Sequence, residues 1–346
     1  MIPHNRPTLG KSEILSTKKV IQSGLISQGD QVKCFESELA NILGINSENV
    51  VCVSSGSAAV YIALRMIFKK NNSKYKIGIP SYSCSSLWHS AKMVGGEPTI
   101  IDSKEHSANI DINSLSNKNL NVAIVPHMFG LPVEISKDQF SFPIIEDCAQ
   151  ALGARINDEP VGLQTDIGIF SFYATKIITS GGQGGALISK NTEIAESARD
   201  FRDFDYKSIN KERFNFQMTD LQASIGRIQL LQLNNFIKKR EKLFQYYKNF
   251  GVELIGSSLE ITSKFKPVRY RAVKKIKNPK KMIKYLEKNN VRTIVPINDW
   301  ELLGDKKTAP LAYDFSKNTI SLPLYPSLQK KDIKYISDLI NNFEKK

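Results

Sequence analysis

Six short apolar runs, each closing on polar residues, constrain this chain more than any other feature. They fall at 50–53, 77–80, 98–101, 122–126, 143–147 and 167–172, mostly separated by helix-length segments. Continuous apolar runs of this length read as strands buried on both faces. That pattern predicts an α/β fold with a mostly parallel sheet flanked by helices. The polar residues gather where the runs end: Ser81 to Cys84, Asp102, His127, the pair Glu146 and Asp147, and the stretch from Ser171 to Lys176. In an open α/β sheet that edge is where ligands bind.

The remaining segments fit around this sheet. An arm leads into a helix over 11–23 that Gly24 ends, and 31–43 places Val32, Phe35, Leu39 and Leu43 on one helical face. The run 50–53 enters Ser54-Ser55-Gly56-Ser57-Ala58-Ala59 and then a helix through Tyr61, Leu64 and Ile67. A strand, a small-residue turn and a helix N-terminus make an anion site in outline. The same residues also suit an ordinary turn with a serine N-cap, and both readings stand at this point. No Gly-Lys-Ser/Thr follows, so it is not a P-loop. Residues 185–188 read as a hairpin-like or neighbouring strand, 193–201 as helix, and 221–247 as one long helix. From Gly251 a smaller α/β region begins, with strands at 268–273, 291–295 and 320–322 and helices at 280–288 and from Lys330. The expected division is a large domain over 1–240 and a small C-terminal domain over 241–346, a size that 346 residues can support.

Charge and cysteine content narrow the class. The formal net charge is +14, which suits nucleic acid, a membrane surface or an anionic small molecule. The basic residues thicken over 264–288 at helix-like spacing, and no RNA-binding, zinc-finger or basic-zipper signature accompanies them. The four cysteines form no C-x-x-C pair and His is scarce, so no metal site is expected. Scattered cysteines in apolar contexts, an N-terminus without the apolar core of a signal peptide and the lack of a ~20-residue apolar run predict a soluble cytoplasmic protein.

One lysine stands apart. Lys176 lies between the run 167–172 and a Ser/Thr/Gly stretch ending in Gly181-Gly182-Gln183-Gly184-Gly185. A lysine in partly apolar surroundings is disfavoured as the ammonium ion, and a neutral amine forms a Schiff base with an aldehyde. Taken alone it would read as a surface charge. Here a carboxylate, Asp147, and the anion cradle near Ser57 sit at other strand ends of the same sheet. Pyridoxal phosphate needs these three: an amine for its aldehyde, a carboxylate for its ring nitrogen, and N–H groups for its phosphate. Asp147 reads equally as a helix N-cap, and Glu146 could share its job or point away.

The chain resembles the DegT-type pyridoxal-phosphate-dependent aminotransferases of nucleotide-linked keto sugars, built on the fold-type-I architecture. The resemblance spans almost the whole chain. It rests on Ser55-Gly56-Ser57-Ala58-Ala59, Pro80-Ser81-Tyr82-Ser83, His127-Met128-Phe129-Gly130, Glu146-Asp147-Cys148-Ala149-Gln150, Phe170 to Lys176, Phe214 to Ala223 and Ser321 to Pro326, in that order. It implies Lys176 as the Schiff-base lysine and Asp147 as the ring-nitrogen partner. Gln150 would lie beside the ring and its hydroxyl, with Ser57, Ala58 and Ser171 around the phosphate. Asn215 would reach the phosphate from a partner subunit, which implies a homodimer with shared sites.

Three positions depart from the family pattern. Cys84 stands where an aromatic residue usually stacks on the ring, Gln183 where an acid is usual, and Pro296 to Trp300 where a His-x-x-Pro-x-Tyr-like loop is common. Relatives with histidine in place of the lysine are dehydratases; Lys176 favours transamination from glutamate or a similar donor to a nucleotide-linked keto sugar. The competing expectations are a sugar dehydratase, a cyclitol aminotransferase, and a non-enzyme that binds nucleic acid through Lys264, Lys266, Arg269, Arg271, Lys274, Lys275 and Lys277.

Overall fold

The computed structural model describes residues 1–68, 75–259, 261–262 and 264–345. Its helices are α1 (Lys11–Ser23), α2 (Asp30–Leu43), α3 (Gly56–Ile67), α4 (Ser86–Met93), α5 (Thr192–Arg202), α6 (Asp220–Leu231), α7 (Leu233–Asn249), α8 (Pro279–Lys288), α9 (Pro310–Lys317) and α10 (Lys330–Glu344). The strands are β1 (Val50–Val53), β2 (Lys76–Pro80), β3 (Glu97–Ile101), β4 (Val122–Pro126), β5 (Ile144–Asp147), β6 (Arg155–Ile156), β7 (Glu159–Pro160), β8 (Ile167–Ser171), β9 (Gly185–Ile188), β10 (Phe265–Lys266), β11 (Ala272–Lys275) and β12 (Thr319–Leu322).

Seven strands form the central sheet in the order β1-β9-β8-β5-β4-β2-β3. The pairings from β8 to β3 are parallel; β9 runs antiparallel to both β1 and β8. Side chains alternate across this sheet, so each strand feeds two cores. Val51 and Val53 pack with Ile62 and Leu64 of α3 on one face. Val50 and Cys52 pack with Phe35 and Leu39 of α2 and with α6 on the other. Three short strands form a small separate sheet ordered β10-β6-β7. The same alternation sends the neighbours Glu146 and Asp147 to opposite faces of β5.

Gly24 ends α1 in the left-handed conformation at φ 74°, as its sequence position predicts. The expected single helix over 221–247 is two helices. α6 ends at Leu231, Gln232 adopts φ −93° and ψ −3°, and α7 starts at Leu233. α6 packs on α1 and α2, whereas α7 packs on α10. The apolar spacing runs on through Leu230 and Leu233, so no Pro, Gly or change of period marks the break.

Beyond the bend, α7, α8, α10, β11 and β12 build a separate core around Phe244, Met282, Leu286, Ile320 and Ile336. The arm joins it: Ile2 pairs with Val291. Two expected strands shrink here. Arg269 adopts φ 45°, so the ladder over 268–273 begins only at Ala272, while Val268 and Tyr270 donate instead to the carbonyls of Gly130 and Phe129. Residues 291–295 form no strand, only single bridges at Val291 and Ile294.

Candidate active site

Three strand ends and one helix end converge on a cavity of about 360 Å³, within the range of small-molecule sites. After β1, Ser55 caps α3: its Oγ accepts the Ala58 N–H at 3.1 Å, and Gly56 and Ser57 begin the helix. The first N–H groups of a helix lack partners within it, so Gly56 and Ser57 present donors to the cavity. Glycine is required at 56. A Cβ there would stand 2.7 Å from Ser171 Cβ, so Ser171 at the end of β8 lies directly against the helix end. That closeness gathers backbone donors and a hydroxyl, a cradle suited to a phosphate.

Asp147 ends β5 on the cavity side and is buried. Its Oδ1 accepts the Ala149 N–H at 2.9 Å, an Asx-type turn; no helix follows, so the N-cap reading does not hold. Burial pushes its carboxyl above the usual range, against the Ala149 bond and the Lys176 charge. A buried carboxylate raised in this way has a use for a cationic partner such as a protonated ring nitrogen.

Glu146 points the other way and is fully buried. Its Oε2 accepts from His127 Nε2 (3.1 Å), the Gly162 N–H (2.8 Å) and Gln164 Nε2 (2.9 Å). Its Oε1 accepts from the Thr165 N–H (3.0 Å) and hydroxyl (3.3 Å). Burial alone would raise this carboxyl; the donors, His127 first, outweigh it and hold it below the usual range. Glu146 therefore cannot share the job of Asp147. His127 Nδ1 accepts the Val133 N–H at 3.0 Å, which leaves Nε2–H to donate to Glu146. Cys148 lies beside this pair, with its thiol raised by burial and by the two carboxylates. The five bonds on Glu146 mark the cluster as a hydrogen-bonded knot that ties β5 to two loops beneath the site.

Lys176 lines the cavity on the loop after β8, half-buried, its backbone N–H bonded to the Tyr173 carbonyl at 2.9 Å. The glycine run returns this loop to β9, with Gly181, Gly182 and Gly184 at φ 74°, 123° and 154°. Lys176 Nζ lies 5.5 Å from the centroid of the Tyr270 ring. Burial pushes the Tyr270 phenol up, but Lys176, Arg271, a Thr175 hydrogen bond and Arg240 together bring it down to about 8.

Lys176, Asp147 and the α3 cradle on one cavity constitute the donor set that pyridoxal phosphate requires. A sequence profile described as the DegT/DnrJ/EryC1/StrS aminotransferase family matches residues 7–341. The chain belongs to this family. It is 24% identical to the GDP-perosamine synthase of Vibrio cholerae, each chain covered to 99%. It is 24% identical to the dTDP-3-amino-3,4,6-trideoxy-alpha-D-glucose transaminase of Streptomyces venezuelae, over 94% of this chain and 90% of that one. The solved aminotransferase TlmJ from Streptoalloteichus hindustanus superposes with a TM-score of 0.91 at 23% identity, covering 99% of this chain and 98% of that one. Helicobacter pylori PseC, an aminotransferase involved in pseudoaminic acid biosynthesis, superposes with a TM-score of 0.88 at 22% identity, each chain covered to 99%. These likenesses in shape bear on the fold.

Within this DegT-family chain, Ser57, Asp147, Gln150, Ser171 and Lys176 line the one cavity. Ala58 does not, and its N–H is taken by Ser55 Oγ. Asn215 lies outside the cavity and exposed; its Oδ1 accepts the Gln217 N–H at 3.2 Å. It does not cap α6, whose cap is Thr219 in a reciprocal box with Gln222. Cys84 faces the cavity, while Tyr82 and Trp88 do not line it. Tyr82 is instead buried edge-on against Phe129 and Phe315. Neither aromatic residue replaces the ring that the family usually stacks at position 84. Gln183 also lines the cavity, and Trp300 is on the surface. Sequence reasoning assigned no role to His127 or Tyr270. His127 was visible in its motif, but the knot with Glu146 depends on strand alternation and on loops far apart in sequence.

Proposed function

We propose that the chain transfers an amino group from glutamate or a similar donor to the keto group of a nucleotide-linked sugar, for amino-sugar and surface-polysaccharide synthesis. One observation supports this most: Lys176, Asp147 and the α3 N-terminus share a single cavity of small-molecule size. The protein is an aminotransferase that uses pyridoxal phosphate, which supplies an aldehyde to carry the amino group and a ring to take up electron density. Lys176 Nζ would hold the cofactor through its aldehyde and would serve as the general acid and base at the substrate carbon. Asp147 keeps the ring nitrogen protonated, its Oδ1 being engaged by Ala149. The N–H groups of Gly56 and Ser57 and the Ser171 hydroxyl hold the phosphate. Gln150, its Oε1 fixed by the Phe129 N–H at 2.8 Å and its Nε2 on Met128 Sδ at 3.9 Å, would stand beside the ring.

The site in this reading is shared between two copies of the chain, with Asn215 delivered by the partner. Exposed apolar side chains near Asn215, Phe204, Tyr206, Ile209 and Phe214, support such a contact. We assign residues 1–240 to the cofactor domain and 241–346 to the small domain, and place the protein in the cytoplasm; its four cysteines are unpaired. No helix among the described residues is long and apolar enough to cross a membrane. The nucleic-acid reading has less support. Lys264 pairs with Glu134, Lys266 with Asp158, Arg269 with Glu241 and Lys274 with Glu344, which removes most of the proposed footprint from free contact.

The test is incubation of the purified protein with glutamate and a panel of nucleotide-linked keto sugars. The expected products are an aminated sugar nucleotide and 2-oxoglutarate. A sugar that has lost a hydroxyl without gaining nitrogen would mean dehydration and refute the reading.

A further inference from the structure

Tyr270 stands behind Lys176 and is fixed from both ends of its own backbone. Arg269, at φ 45°, turns the chain just before it. The Tyr270 N–H then donates to the Phe129 carbonyl (2.9 Å), and its carbonyl accepts Arg240 Nη1 (3.1 Å). The residue is 3% exposed and does not line the cofactor cavity, whereas Lys176 does.

The surroundings of this ring are one-sided. Lys176 Nζ lies 5.5 Å from its centroid and Arg271 Cζ 5.3 Å, distances at which an aromatic face attracts a cation. The Tyr270 side chain also hydrogen-bonds Thr175, the residue before Lys176, and Asn5 Nδ2 holds the Thr175 carbonyl at 3.2 Å. The charges that act on the phenol, Lys176 first, then Arg271 and Arg240, are all positive. They explain why a phenol that burial would push up is brought down to about 8. On its other side Lys176 acts on Asp147, so the lysine stands between an acid in the cavity and an aromatic ring behind it.

We propose that Tyr270 is a positioning residue that receives the Lys176 amine whenever the cofactor releases it. The ring face holds the charged amine, and the bond to Thr175 keeps the loop still, so the amine waits within reach of the cavity. The proposal rests on Lys176 as the cofactor-holding lysine and is independent of which sugar is aminated. It makes the phenol a reporter of the amine: with the cation over the ring Tyr270 ionises near pH 8, and with the amine drawn into the cavity it ionises higher.

The test is carbon-13 NMR of the full chain labelled at tyrosine Cζ and titrated with base. Tyr270→Phe identifies its signal among the twelve tyrosines. The expected midpoint is near pH 8 in the cofactor-free protein and with pyridoxamine phosphate bound, since that form has no aldehyde to take the lysine. It rises by on the order of 1–2 pH units with pyridoxal phosphate bound, and equally in cofactor-free Lys176→Met. A tyrosine with a purely structural role would titrate at one pH in every form. A midpoint unmoved by Lys176→Met overturns the contact itself. Equal midpoints with the two cofactor forms, alongside an intact Lys176→Met effect, overturn the role in release and take Lys176 off the cofactor.

Discussion

Glu146→Gln separates the scaffold beneath the site from the site itself. The wild-type carboxylate accepts five hydrogen bonds, three on Oε2 and two on Oε1. The amide oxygen of Gln keeps the three donors best served from the Oε2 position. Its NH2 then faces the Thr165 backbone N–H, 3.0 Å from the replaced oxygen, and that donor is orphaned; the Thr165 hydroxyl can rotate to accept. An orphaned buried N–H costs about 1–3 kcal/mol, and the three retained bonds lose their charge assistance. The expected loss is about 2–4 kcal/mol, read as a lower urea midpoint of the cofactor-free protein at neutral pH. The donors hold the carboxyl below its usual value near 4.5, so its contribution is present above that pH and fades as pH falls through the lowered folded value. The gap between wild type and variant therefore narrows below about pH 4.5. An unchanged midpoint at pH 7, or a gap that widens in acid, would refute the reasoning.

Three further outcomes follow from the same geometry. Asp147→Asn keeps the Ala149 N–H acceptor and removes a carboxylate that burial disfavours, so the cofactor-free protein is at least as stable as wild type at pH 7, while turnover falls on the order of 10²–10³-fold; near-wild-type turnover would remove Asp147 from its role. Gly56→Ala drives a Cβ to 2.7 Å from Ser171 Cβ and pushes the cradle apart, so equilibrium dialysis should show pyridoxal phosphate bound about tenfold or more weakly, a loss of about 1.4 kcal/mol. Mixing inactive Lys176→Ala and Asn215→Ala chains restores activity in hybrid dimers if the site is shared; no recovery despite demonstrated subunit exchange shows that Asn215 acts within its own chain.

The sheet was legible because strands buried on both faces leave unbroken apolar runs; 122–126 is a strand to the residue. The gathering of these residues on one cavity was legible for a related reason: Asp147 and Ser171 close such runs, Lys176 follows one, and the sheet brings run ends together. What stayed hidden depends on contacts between distant segments. Nothing local in Gln232 announces a bend, since α6 and α7 part only because they pack on different partners. Position 84 revealed a missing aromatic ring, but only the packing of Tyr82 against Phe129 and Phe315 shows that it does not compensate. The opposed fates of Glu146 and Asp147 were implicit in strand alternation, whereas the partners of Glu146 at Gly162 and Thr165 come from a loop with no motif of its own.

The central claim is that Lys176 holds the cofactor. Borohydride reduction of the purified, cofactor-loaded protein, followed by proteolysis and mass spectrometry, tests it directly. The account predicts a reduced pyridoxyl group on the peptide containing Lys176 and the loss of that label in Lys176→Ala. A label on any other lysine, or none while the cofactor is demonstrably bound, would contradict it.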